Sequence, residues 1–202
     1  MKEDLKKIIG SNEKILYEGK PDKKCFVFEG IFNPMLPFAV MWALFDSMFI
    51  GAAIFSEDKS FLVFIIPFLL FHMMPVWIYL GGALFTIKRY KNTEYVVTDH
   101  AVYVTEGIIT KSFKTKPFAE LSHVDLKRGF FDQMFNVGDI ILTSNQASSE
   151  SGIRSISINS ISNYTEVYNI VKKLQEDIYT DVMYPNDKRP SENHGYKTEY
   201  KG

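Results

Sequence analysis

Hydrophobic and polar residues divide the chain into two different regions. Between Pro34 and Ile87, 38 of 54 positions are hydrophobic. Two apolar runs, 34–55 and 61–87, flank a polar turn at 56–60 with the sequence SEDKS. Because a helix crosses the hydrocarbon core of a bilayer in about 20 residues, both runs are long enough to span it. We predict a transmembrane helical hairpin over 34–87; the alternative is a buried hairpin in a soluble protein.

The basic residues next to these runs predict an orientation. The turn at 56–60 holds one lysine and two acids, whereas seven basic residues flank the other ends: Lys14, Lys20, Lys23, Lys24, Lys88, Arg89 and Lys91. Cytoplasmic loops carry the excess of Lys and Arg. We therefore expect a multi-pass protein of the cell (plasma) membrane with both termini cytoplasmic, residues 1–33 forming a cytosolic N-terminal segment.

Two strongly polar side chains interrupt the apolar runs. Asp46 lies ten residues before the turn and His72 twelve after it, so both fall about 15–18 Å from the turn. Equal depth allows them to pair, and an ionisable group within a membrane is a functional hypothesis by default. A structural contact and a functional site both stay open. Pro67 and Pro75 are expected to kink the second helix or free carbonyls near His72.

After Thr93 the pattern becomes that of short strands. Alternating and β-branched residues predict a hairpin of 94–98 and 101–105, followed by strands at 108–116, 121–128, 139–144 and 153–158. Residues 129–138 predict a short helical turn against the sheet, and 146–152 a polar loop. Several antiparallel strands of this kind indicate a small β-barrel or sandwich.

One amphipathic helix closes this region. Asn163 and Glu166 resemble a capping box, and apolar residues then follow at three- and four-residue spacing as far as Ile178. Residues 93–180 should therefore carry their own core. Beyond Pro185 the apolar period is lost, and we expect residues 185–202 to be a disordered tail.

Composition limits the chemistry. The net charge is −1, without the basic excess typical of nucleic-acid binders, so no nucleic-acid partner is expected. Cys25 is the only cysteine and has no ligand partners at metal-binding spacing, so neither a metal nor another cofactor is predicted. No nucleophile elbow or phosphate-binding glycine loop occurs, and the sequence does not indicate an enzyme.

Several motifs resemble a known family. They are YVVTDHAVYV from Tyr95, FAELSHVDL from Phe118, NVGDIIL from Asn136 and the opening EKILYEGKP from Glu13. Together they resemble the bacterial pleckstrin-homology-like (PH-like) domain, in particular the membrane-flanked, YdbS-like proteins. The resemblance implies an α+β fold: antiparallel strands capped by a C-terminal helix beside paired transmembrane helices. It implies no catalytic residues, and whether residues 11–28 complete the sheet stays open.

Two functions from different classes follow. The first is a membrane-anchored interaction or scaffold module that binds the lipid bilayer and protein partners or itself. Its candidate contacts with anionic lipid are Lys111, Lys114, Lys116, Lys127 and Arg128. The second is a membrane transport or enzymatic activity centred on Asp46 and His72.

Overall fold

A computed structural model describes Leu5 and residues 7–56, 60–144 and 155–183 of the protein. The chain forms two compact units. One contains the residues up to Phe26 together with those from Arg89 onward, and the other is Val27–Lys88. The predicted loop at 146–152 and the predicted tail at 185–202 lie outside the described residues.

The first unit begins with a four-stranded antiparallel sheet. Its strands, in spatial order, are β1 (Ile15–Gly19), β2 (Glu94–Thr98), β3 (Ala101–Glu106) and β4 (Ser112–Pro117). The predicted hairpin of β2 and β3 is confirmed. Strand β1 comes from the N-terminal segment and pairs with β2, so residues ahead of the first apolar run do complete the sheet.

A three-stranded antiparallel sheet follows. It consists of β5 (Leu121–Lys127), β6 (Gly138–Ser144) and β7 (Ser155–Ile161), with β6 in the centre. A short 3-10 turn, Phe118–Glu120, leads into β5. Two helices belong to this half: α5 (Phe130–Phe135), at the predicted helical turn, and α6 (Tyr164–Met183), at the predicted closing helix.

Both sheets and α6 share one hydrophobic core. Its buried members include Val97 and Val104 from the first sheet, Ile140 from the second and Val167 and Val171 from α6. Strand β6 alternates between buried and half-buried positions, as expected where one face meets a core. Two antiparallel sheets with a C-terminal helix are consistent with the expected α+β, PH-like fold.

Strand β2 is buried along its whole length because its second face is covered as well. Val96, Ala101 and Tyr103 form a smaller cluster there with Leu5 and Ile9. Residues near the N-terminus therefore supply both an edge strand and a cover for the sheet.

The predicted strand 108–116 begins later than expected, at Ser112. Residues 107–111 instead form the turn between β3 and β4. Gly107 has φ +138°, and a Cβ placed there would lie 2.0 Å from the carbonyl oxygen of Thr110. Only glycine fits such a close approach of backbone, so the turn replaces the first part of the strand.

The second unit is helical. Helix α1 (Lys23–Ile31) leads into it, followed by α2 (Met35–Phe55), α3 (Phe61–His72) and α4 (Met74–Asn92). By length and composition α2 could cross a membrane, and α3 and α4 pass the same test only as a pair, bent by 49°. Helix α3 continues through Pro67, and the break falls at Met73, two residues before Pro75.

Candidate functional site

The predicted polar pair forms within the helical unit. His72 Nδ1 lies 2.6 Å from Asp46 Oδ1. Asp46 is completely buried, while the His72 side chain is 26% exposed. The second carboxylate oxygen of Asp46, Oδ2, is buried with no hydrogen-bond partner among the described residues. One oxygen is thus paired and the other is left with an unmet hydrogen-bonding capacity.

Asp46 lies on the buried face of α2. The buried residues of this helix are Ala39, Asp46 and Ala53, each seven positions from the next. Seven residues make almost two helical turns, so the three share one face. Small residues at such positions allow another helix to approach closely, which encloses the carboxylate between helices.

Aromatic rings surround the imidazole. The Trp42 ring stacks on His72 at a centroid distance of 5.0 Å and the Phe68 ring at 4.9 Å, with interplanar angles of 26° and 20°. Phe45 approaches at 5.9 Å in a tilted arrangement. Stacking by two rings restrains the plane of the imidazole, which keeps Nδ1 directed at Asp46.

The pair also stands at the break between α3 and α4. The amide of Val76 would donate to the His72 carbonyl in an unbroken helix, but it donates to Met73 O at 2.9 Å. The His72 carbonyl accepts instead from Trp42 Nε1 at 2.6 Å. Trp77 Nε1 donates to Leu70 O at 3.3 Å. Two indoles therefore satisfy carbonyls that the break releases.

Sequence reasoning missed the roles of Trp42 and Trp77. Both indoles lie inside the apolar runs 34–55 and 61–87, where the sequence gives no sign of their partners. Pro75 was only a partial signal, because the carbonyl that it deprives of a donor is that of Phe71, four residues earlier, and Phe71 O accepts from the Met73 amide. The indoles instead donate to the carbonyls of His72 and Leu70, next to the break itself.

The five basic candidates do not share one environment. Lys116 is buried and its ammonium lies 3.4 Å from Glu120. Lys114 is ion-paired with Glu106. Lys111 lies exposed in the turn between β3 and β4, and Lys127 is exposed at the end of β5.

Arg128 has a structural environment of its own. Its Nε donates to Val137 O at 2.8 Å and its Nη2 lies 3.3 Å from Asn136 Oδ1. The guanidinium also lies over the Tyr164 ring, 4.6 Å from the centroid. These contacts join the end of β5 to the turn after α5 and to the start of α6, so Arg128 braces the second sheet.

Comparison with known proteins identifies the family. A family model for the bacterial PH domain matches residues 47–175, well over half of the chain. The matched range begins inside α2 and ends inside α6, so it includes six of the seven strands described above. Searches of curated proteins and of solved structures gave no match. The chain belongs to the bacterial PH domain family.

Proposed function

We propose that the protein is a membrane-anchored interaction module. Two apolar segments, α2 and the bent pair α3–α4, form a transmembrane hairpin and hold the PH-like unit at the membrane surface. A PH-like domain suggests interaction or scaffolding, and the finer resemblance to the membrane-flanked, YdbS-like proteins agrees with such an arrangement. The partners would be the lipid bilayer and proteins, including other copies of this chain.

The distribution of exposed apolar side chains carries this proposal. Of the 33 large hydrophobic side chains exposed in the described part of the chain, 25 lie between Phe28 and Ile87. Many of these side chains are highly exposed, such as Met48 at 72%, Phe64 at 76% and Leu84 at 72%. A soluble protein rarely leaves so large an apolar surface in water. In a bilayer, lipid covers these side chains, so the free-energy cost of exposing them to water does not arise.

The helix lengths agree with a bilayer. Helix α2 has 21 residues, which corresponds to about 31 Å and so to one hydrocarbon thickness. Helix α3 alone has 12 residues, or about 18 Å, and is too short. It can reach the opposite surface only together with α4. Irregular backbone within a bilayer requires internal hydrogen-bond partners, and the two indoles at the break supply them.

For orientation we propose a multi-pass protein of the plasma membrane with both termini in the cytoplasm. The support is the excess of Lys and Arg beside the ends of the apolar segments that lead to the PH-like unit. No catalytic residue is proposed within that unit, and it is assigned an interaction role rather than an enzymatic one.

Two measurements test the anchor and its orientation. After alkaline carbonate washing the full chain should remain with the membrane. In a Cys25→Ser background, a cysteine placed at Ser56 or Ser60 should react with an impermeant maleimide from outside the cell, and one at Gly202 should not. Extraction by carbonate would refute the anchor, and the reverse labelling pattern would refute the orientation.

The interaction role has its own test. Affinity capture from detergent-solubilised membranes should recover protein partners or further copies with the full chain. A chain lacking residues 93–180 should lose them, because the PH-like unit provides the folded surface. Equal recovery by both chains would show that the partners bind the helical unit and not the PH-like unit.

A second candidate function is transport or enzymatic activity centred on Asp46 and His72. The buried Oδ2 atom favours it, since within the described part of the chain this atom has no hydrogen-bond partner and a polar atom in that condition requires an explanation. Under this function Asp46→Asn should abolish the cellular phenotype while the protein stays folded and abundant. Under the anchor function the same variant should behave nearly like the parent.

A further inference from the structure

The turn between β3 and β4 presents an isoleucine to its surroundings. Ile109 is 88% exposed, the highest value among the large hydrophobic side chains of the described residues. The turn is closed tightly, since the Gly107 Cα faces the Thr110 carbonyl at a distance that excludes any side chain. A single exposed isoleucine is ordinary on a protein surface, so exposure alone does not indicate a function, and the location of the residue must be considered.

The strand register shows at which end of the first sheet this turn lies. Glu94 pairs with Thr105, and Glu106 pairs with Ser112. The turn after Glu106 therefore lies beside the start of β2. Gly19, the last residue of β1, pairs with Tyr95 at the same end.

The chain enters and leaves the apolar segments from this end of the sheet. It departs after Gly19 towards α1 and returns through the end of α4 to Glu94. The Asn92 side chain, at the end of α4, donates from Nδ2 to Gly107 O at 3.1 Å. Ile109 is two positions after Gly107, and Asn92 is five positions after Ile87, the last apolar residue of the second run. If the helices span a bilayer, the turn is held next to its surface.

Charge at this end is also suited to a membrane. Exposed basic side chains gather in the flanking segments: Lys23, Lys24, Arg89, Lys91 and Lys111. Two neighbouring acids are ion-paired, Glu94 with Lys20 at 3.0 Å and Glu106 with Lys114. Asp22 accepts a hydrogen bond from the Cys25 amide at 2.9 Å. Basic side chains in the segments near an apolar tip match an anionic headgroup layer over a hydrocarbon layer.

We propose that residues 108–111 form a membrane-contact loop. Ile109 inserts its side chain into the boundary between headgroups and acyl chains, and Lys111 lies at the level of the anionic phosphates. The occupant is the same bilayer that the helices cross, so the inference rests on the proposed anchor. The loop would fix the tilt of the PH-like unit and thereby select which surface of the unit faces other proteins.

A site-specific probe in the full chain tests this loop. In a Cys25→Ser background, an environment-sensitive fluorophore is attached at Ile109→Cys or, in a control, at His100→Cys. The serine hydroxyl replaces a buried thiol that donates to Asp132 Oδ1 at 3.5 Å. His100 is exposed in the turn at the opposite end of the same strands, more than about 20 Å away. The chains are reconstituted into vesicles of phosphatidylcholine and phosphatidylglycerol that carry a nitroxide at a shallow acyl position.

For vesicles that retain the protein after carbonate washing, we expect about two-fold or greater quenching of the probe at 109 and little at 100, because interfacial side chains reach about 5–10 Å into the boundary. Lys111→Gln should reduce the inserted fraction by up to about five-fold in anionic vesicles and leave it unchanged in purely zwitterionic ones. Retained protein with equal quenching at the two positions would overturn the loop and leave the anchor intact. Protein lost in the carbonate wash would overturn the anchor and the loop with it.

Discussion

The two units use hydrophobic residues in opposite ways. In the PH-like unit most large apolar side chains are inside, and β6 alternates between buried and half-buried positions. In the helical unit most large apolar side chains are outside, and the buried positions of α2 are two alanines and an aspartate. The first pattern is driven by removal of apolar surface from water. The second is the pattern of helices that pack through small and polar residues while lipid covers the rest.

The largest expected effect compares truncations in the two units. Ile140→Ala removes a fully buried side chain from the shared core and should lower the free energy of unfolding by about 2–5 kcal/mol. Leu84→Ala, at a side chain 72% exposed, should change it by less than about 0.5 kcal/mol. Chemical denaturation in mild detergent, followed by circular dichroism, measures both. Equal losses would mean that Leu84 packs in a protein core and not against lipid.

The next effect concerns the polar centre of the helical unit. Asp46→Leu leaves the His72 imidazole without its partner and should cost about 1–3 kcal/mol. Asp46→Asn keeps a hydrogen-bonding group and should leave expression and assembly nearly unchanged. The double change of Asp46→Leu with His72→Phe should recover most of the loss, since neither polar group then remains. Thermal unfolding in detergent and membrane abundance give the readout, and a double variant worse than either single one would contradict structural pairing.

A smaller effect is expected at the helix break. Trp42→Phe keeps an aromatic ring beside His72 and removes the N–H that satisfies the His72 carbonyl. The loss should be about 1 kcal/mol, with faster amide exchange around Met73. Trp77→Phe is the matched control with a longer bond of 3.3 Å, and its effect should be smaller. Hydrogen–deuterium exchange of 69–77 separates the two variants, and no change in either would show that the indoles do not stabilise the break.

The smallest effect is a pH dependence in the PH-like unit. Burial, with a further contribution from Asp132, raises the pKa of Asp139 above its usual 3.8, although the Ser160 amide donates to its Oδ1 at 2.7 Å. A raised pKa in the folded state means that this group stabilises the fold below the unfolded pKa and that the contribution is lost as pH rises through the folded pKa.

At neutral pH the ionised Asp139 is therefore a net cost. Asp139→Asn keeps the acceptor and removes the charge, so it should match or slightly exceed the parent in stability at pH 7, by less than about 1 kcal/mol because solvent screens a half-buried group. The advantage should shrink as pH falls towards 3.8. Urea unfolding of both proteins between pH 3.8 and pH 7 measures this difference in stability. A variant less stable than the parent at pH 7 would contradict the prediction.

Much of the polar centre follows from the linear pattern. The similar depths of Asp46 and His72 result from their distances to one turn, so their pairing could be predicted without coordinates. Strands β2 and β3 likewise follow from a local alternation and a two-residue turn. The helical turn at α5 lies between glycines that bound it in the sequence. Each of these features depends on residues that are close along the chain or placed by a regular helix.

Other features depended on partners remote in sequence. The pairing of β1 with β2 joins residues about 80 positions apart, and no local pattern in Ile15–Gly19 specifies that neighbour. Lys116 and Arg128 looked like surface charges because a charge run does not reveal which cations find a carboxylate, a carbonyl or a ring. The indole of Trp42 donates to the His72 carbonyl only because the break between α3 and α4 lies beside it in the folded structure.

The sequence by itself determined the division of the chain, the apolar segments, the equal depth of the polar pair and most strands, because each is set by the period of a helix or a strand. Tertiary structure decided which residues complete the first sheet, which basic groups are buried, and how Trp42 and Trp77 satisfy the broken helix. The physical reason is that buried polar groups must find partners, and folding selects those partners by proximity in space across any distance along the chain.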